Sequence, residues 1–312
     1  MENLIISLNV VLPLFFCIVL GNFLRRIGMY DGETLNKLNK LCFKVFLPIY
    51  LFNSVYSTDL SAAFNGKLIL FAVLGVVAWF LLLMLLVPRI EKENPKCGVM
   101  IQAMFRSNFV LFGLPVATSL CGEDKLGPTS LLIGIVVPVF NVLAVVTLEA
   151  FRGGKPSVKK MAKGIVTNPL IIASLLGVLF YFLNIDLPYA VQKTVTDLGR
   201  VATPLSLVAL GGYFTLGEVK NYKKQLTIAV LGKLLISPLI MVLIGIALGF
   251  RNETLVPIVI MFGAPTAVSS FTMAQQMDGD GELAAGLVVF TSGLAILTIF
   301  LWVFVLKQLG FI

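Results

Sequence analysis

Ten apolar runs of about 20 residues follow one another along the chain, at roughly 4–24, 34–57, 67–88, 97–121, 127–151, 164–183, 188–215, 225–249, 254–277 and 283–306. An α-helix needs about 20 residues to cross the hydrocarbon core of a bilayer. The loops between the runs are too short to hold a soluble domain. Only 13% of the residues are charged and 58% are hydrophobic, whereas a soluble domain is about 25% charged. The expected fold class is therefore an all-α polytopic membrane protein with ten transmembrane helices.

The first run opens on MENLIISLNVV, which lacks the basic n-region of a cleaved leader and stays apolar too long for one. It reads as the first span. Lys and Arg set the orientation. The loops after spans 1, 3, 5 and 7 hold fifteen of them, and the opposite side holds five: Lys67, Lys125, Lys193, Arg251 and Lys307. Basic loops face the cytoplasm, so both termini are expected outside a cell membrane in which the protein is integral. One loop dissents: DGDGE at 278–282 is on the expected cytoplasmic side without a basic residue. The net charge of +8 is accounted for by orientation, and nucleic acid is not an expected partner.

The chain repeats itself. PLFFCIVLG (13–21) and PLIIASLLG (169–177) are 156 residues apart, as are Lys44 with Pro48 and Arg200 with Pro204. AVLG recurs at 72–75 and 229–232, and FGLP at 112–115 is matched by FGAP at 262–265. Five spans are thus duplicated. Five is odd, so the second copy enters the membrane from the other side. The expected domains are a first five-helix repeat at 1–151, a cytoplasmic linker at 152–163 and an inverted second repeat at 164–312. Inverted repeats are common in secondary transporters, whose sites lie near the midplane where the halves meet.

Spans 4 and 9 carry paired Gly-x-Pro breaks, at Gly113 and Pro115 and at Gly263 and Pro265. Proline removes a backbone donor and clashes with the carbonyl four residues back. In lipid the freed groups must be met by protein, water or a ligand. Half-helix N-termini favour anions, and free carbonyls favour cations. Polar residues gather nearby: Arg106, Asn108, Thr118 and Ser119 in span 4, and Thr266, Ser269, Ser270, Gln275 and Gln276 in span 9. Each hydroxyl either contacts a solute or bonds its own helix.

Lys44, Arg106, Arg200 and Lys233 are basic residues within spans. Intramembrane charges mark functional sites unless paired. Lys44 and Arg200 occupy equivalent repeat positions, and Asp197, three residues before Arg200, is either its ion-pair partner or a proton carrier set by burial. Arg106 either meets an anion or snorkels, and Lys233 is expected to snorkel. Glu149 reads as a boundary residue. The basic excess favours an anionic substrate, while a sodium site from carbonyls, Asn108 and Gln275 or Gln276 stays open. There is no histidine, and Cys17, Cys42, Cys97 and Cys121 show no CxxC spacing, so neither a metal, a disulfide nor another cofactor is indicated.

The quoted repeats, with LCFKVFLPIYLF (41–52), NFVLFGLPVATSL (108–120) and MFGAPTAVSSFTMAQQ (261–276), resemble the auxin efflux carrier family of membrane transporters over nearly the whole chain. The resemblance implies a fold like that of bile-acid/sodium symporters. Spans 1, 2, 6 and 7 would form a scaffold, and spans 3–5 and 8–10 a mobile transport domain with crossing helices 4 and 9. Asn108, Gly113, Pro115, Gly263 and Pro265 would form the crossover. The large hydrophilic loop of long plant members is absent after span 5.

The expected function is secondary transport of small organic carboxylates by alternating access, in the manner of an elevator. The expected partners are the organic acid, a coupling proton or sodium ion, the lipid bilayer and a second copy of the chain. Two alternatives stand beside it: a cation-coupled symporter or antiporter of a neutral or amphipathic solute, and a transporter-like metabolite sensor. No pair of groups is placed for enzyme chemistry.

Overall fold

Leu, Val, Ile, Phe and Ala occupy most helical positions, so hydropathy alone does not separate inner from outer faces; small and polar residues do. The computed structural model describes residues 2–57, 65–152, 158–215 and 217–312. The structure is all-helical among these residues. α1 spans Glu2–Arg26. α2 (Gly32–Leu41) and α3 (Leu47–Tyr56) are joined by a wide π-helical turn, Cys42–Phe46. α4 (Gly66–Ile90) is unbroken. α5 (Asn94–Phe105) and α6 (Phe109–Cys121) are separated by three non-helical residues. α7 (Gly127–Ala150) is followed by α8 (Val158–Val166), α9 (Pro169–Phe182) and α10 (Tyr189–Tyr213). α11 (Lys223–Leu231) and α12 (Ser237–Ala247) share a second π-helical turn, Gly232–Ile236. α13 (Val256–Gly263) and α14 (Ser269–Gln276) form a second interrupted pair, and α15 is Gly281–Gln308.

Helix starts follow local chemistry. The side chains of Asp31, Asn65, Asn168 and Asp280 accept the first free backbone N–H groups of α2, α4, α9 and α15, at 2.8–3.0 Å. Among the described residues, four helical stretches are long and apolar enough to cross a bilayer: Gly66–Ile90, Gly127–Ala150, Val219–Ala247 and Gly281–Gln308. Large apolar side chains such as Phe16, Leu85, Leu175, Leu243 and Leu301 stand more than half exposed on their outer faces. A surface of that kind is stable against lipid and not against water. The protein is an integral membrane protein.

Several expected spans are interrupted. The runs 97–121 and 254–277 are pairs of half-helices, and 164–183 is divided between α8 and α9. Residues 153–157 of the expected linker lie outside the described residues, and its last part is already helical in α8.

Glycine sets the closest helix contacts. α1 crosses α10, and α3 packs on α9. A Cβ on Gly21 would meet the carbonyl of Val208, and one on Gly177 would meet the carbonyl of Phe52. Both members of the second contact are displaced from those of the first by 156 residues, in exchanged order. In lipid, where burial of apolar surface drives little association, such close backbone approach carries much of the helix pairing.

Candidate functional site

The two interrupted pairs cross at their breaks. Residues 106–108, between α5 and α6, run antiparallel to the segment between α13 and α14, with Ser107 opposite Thr266. Each break strands carbonyls at the end of the preceding half-helix. The other break satisfies them. Thr266 Oγ1 donates to Ala103 O at 2.9 Å, Ser107 Oγ donates to Met261 O, and Asn108 N–H donates to Pro265 O at 2.8 Å. Trp79 Nε1 takes up Met104 O at 3.3 Å, and Thr291 Oγ1 accepts the Thr266 N–H at 3.1 Å. The whole crossing is buried, so these bonds are what make it tolerable in a membrane.

Two cations sit in it. Arg106, 4% exposed, donates to Asn141 Oδ1 at 2.5 Å and lies 2.6 Å from Met273 Sδ. Lys233, 0% exposed, donates to Ser107 Oγ at 2.5 Å. Among the described residues neither has a carboxylate within ion-pairing distance. The expected snorkelling of Lys233 is overturned. Packing buries the side chain within the π-helical turn Gly232–Ile236, and the Ser107 hydroxyl receives it.

A small cavity opens beside the crossing. Tyr50 and Leu51 of α3 and Thr203 and Ser206 of α10 wall one side. Arg106, Asn108, Phe109, Asn141, Val268 and Ser269 wall the other. Both α6 and α14 begin here, so two half-helix N-termini, the positive ends of their dipoles, face the cavity. The Nδ2 groups of Asn108 and Asn141 are buried without a hydrogen-bond partner. Buried amide donors are rarely left so. A fixed cation, two unpaired amide donors and two helix N-termini converge on one space, and that chemistry suits a bound anion.

The expected site residues divide. Arg106, Asn108 and Ser269 line the cavity. Thr266, Pro265 and Gly263 build the crossing, and Ser270 Oγ is buried there without a partner. Gly113 and Pro115 do not break span 4, because both lie inside the continuous helix α6. A single missing N–H on an exposed face leaves the rest of that ladder intact, and Gly113 instead makes room for the Phe109 ring, 3.0 Å from where a Cβ would stand. The break falls at 106–108. Thr118 and Ser119 lie further along α6, and Gln275 and Gln276 end α14; none of them lines the cavity. Lys44 is exposed in the turn Cys42–Phe46. Asp197 does not owe its state to burial: it is half exposed, 2.7 Å from Lys193 and 3.8 Å from Arg200. Glu149 pairs with Arg152 at 2.9 Å. Asn141, Tyr50, Thr203 and Ser206 were not expected, although Asn141 is a lone amide in an apolar run and Ser206 follows Pro204 by two residues.

Residues 6–303 match the model of the family described as "Membrane transport protein". The chain belongs to this family, the auxin efflux carrier family of transporters. It is 25% identical over 299 residues to a Rhizobium meliloti protein named "Putative malonate transporter", with 93% of each chain covered. An "Uncharacterized transporter" of Methanothermobacter thermautotrophicus is 26% identical over 304 residues, covering 96% of this chain and 98% of its own. A third relative, from Methanocaldococcus jannaschii, is 22% identical over 307 residues, with coverage of 96% and 99%. The protein is a membrane transporter and not an enzyme.

Proposed function

We propose that the protein is a secondary transporter of small organic carboxylates and that the carboxylate binds in the cavity at the crossing. The observation that carries this reading is the buried Arg106, which has no ion-pair partner among the described residues and shares its cavity with the unpaired amides of Asn108 and Asn141. A bound carboxylate accepts from the guanidinium and the amides, and the N-termini of α6 and α14 add favourable dipoles. The uncompensated positive charge of Arg106 and Lys233 favours a dianion over a neutral solute, and malonate, named for one relative, is a natural first probe.

Transport follows by alternating access. The crossing helices, with α4, α7, α11, α12 and α15, move as a domain against a scaffold of α1, α2, α3, α9 and α10. The cavity lies at the seam between these groups, where a solute changes sides without crossing lipid. The paired glycine contacts of Gly21 and Gly177 support an inverted duplication, and the excess of Lys and Arg in the loops after spans 1, 3, 5 and 7 supports both termini outside.

The test is flux in proteoliposomes. Radiolabelled malonate, malate and indole-acetate are offered under imposed proton, sodium or potential gradients. At least one carboxylate is expected to move. If none moves under any gradient while the purified protein remains folded, carboxylate transport is excluded.

A further inference from the structure

One helix presents two exposed faces of opposite character. On α10, Gln192, Lys193, Thr196, Asp197 and Arg200 recur at three- and four-residue spacing and so share one side. A shallow, open surface hollow runs along them. Val191 and Leu198, on the other side, are also exposed. Lipid accepts the apolar side. It does not accept the polar one, because charged residues at the centre of a membrane helix are costly against hydrocarbon and face water or protein instead. Arg200 lies eleven residues beyond the start of α10, about 16 Å along the axis at 1.5 Å per residue, which is half the hydrocarbon thickness.

The polar side leads somewhere. One turn beyond Arg200 it reaches Thr203, which lines the cavity at the crossing. One turn further it reaches Leu207, which is 2% exposed. On a neighbouring face the same stretch of α10 is held against α14, with Ser206 Oγ 3.2 Å from Thr272 Oγ1 and Tyr213 against Phe271 at 5.5 Å between ring centroids. The same side of one helix is therefore exposed from Tyr189 to Arg200 and buried at Leu207.

We infer that the polar side of α10 is the wall of a water-filled vestibule that delivers anions to the cavity, with Lys193 and Arg200 as its attracting charges. This rests on the carboxylate reading above for the identity of the solute, but not for the vestibule itself. Two cations around the single carboxylate of Asp197 leave a net positive charge on the wall. A charged, low-dielectric cleft concentrates the oppositely charged solute. The buried Leu207 marks the closed end of the same path.

Thiol labelling tests this without any transport assay. With the half-exposed Cys17 and Cys121 replaced by serine, single cysteines are placed by Thr196→Cys, Gln192→Cys, Val191→Cys and Leu198→Cys, in membranes. Thr196→Cys and Gln192→Cys are expected to react with membrane-impermeant methanethiosulfonates, the anionic reagent about tenfold faster than the cationic one. Adding Lys193→Gln and Arg200→Gln is expected to abolish that preference. Val191→Cys and Leu198→Cys are expected to stay unlabelled. Equal labelling of both faces, no labelling of Thr196→Cys, or its oxidative cross-linking to a second copy would each overturn the vestibule. Labelling as expected in a protein that moves no carboxylate would leave the vestibule standing and remove only the solute.

Discussion

Arg106 and Lys233 are both buried cations, yet they do different work. Arg106 borders the cavity and holds Asn141 in place. Arg106→Gln is expected to weaken carboxylate binding by roughly 10- to 100-fold, since a hydrogen bond to a charged group is worth about 1.5–3 kcal/mol. Lys233 does not line the cavity; it is packed behind Ser107. Lys233→Ala leaves a void among fully buried neighbours and is expected to cost about 2–4 kcal/mol, whereas Lys233→Met keeps the volume, removes the buried charge and is expected to be as stable as the parent. Thermal unfolding in detergent separates the two. Nothing in the residue pattern marks this difference. Both residues are single cations in apolar runs, and only the packing around Lys233, with Ser107 as its acceptor, places it inward.

At the scale of elements, the interrupted helices exist because each repairs the other. Ser107→Ala would leave Met261 O and Lys233 Nζ without their partner, and Thr266→Val would do the same to Ala103 O. Each is expected to lower stability by about 1–3 kcal/mol. Because both sit in one crossing, the double variant is expected to lose less than the sum, a non-additivity that a double-mutant cycle in thermal unfolding measures. Additive losses would mean that the breaks are independent. The existence of two broken helices was legible from their Gly-x-Pro pairs, but the place of one break was not. FGLP and FGAP are 150 residues apart, while the other matches are 156 or 157 apart. Asn108 and Pro265, which meet at the breaks, are 157 apart. The matching motif was thus seven residues out of register, and proline, the stronger signal by eye, is carried inside α6 on an exposed face.

At the scale of the whole molecule, the membrane character and the grouping of polar residues around the crossing were readable, because composition and spacing determine them. The walls supplied by α3, α7 and α10 were not, since Tyr50, Asn141, Thr203 and Ser206 come together only through packing. The glycine contacts give that packing a direct test. Gly21→Ala and Gly177→Ala each push a methyl group onto a backbone carbonyl and are expected to destabilise by about 1–3 kcal/mol. Gly32→Ala, with open space around it, is expected to stay within about 0.5 kcal/mol. The central claim is that a carboxylate binds at the crossing through Arg106. The most direct measurement is the thermal shift of the purified protein on titration with malonate, made in parallel on the parent and on Arg106→Gln. A ligand bound only by the folded form raises the midpoint with concentration. The parent is expected to shift upward and Arg106→Gln, folded and of similar stability, to shift only at concentrations 10- to 100-fold higher. An equal shift in both proteins would contradict the claim.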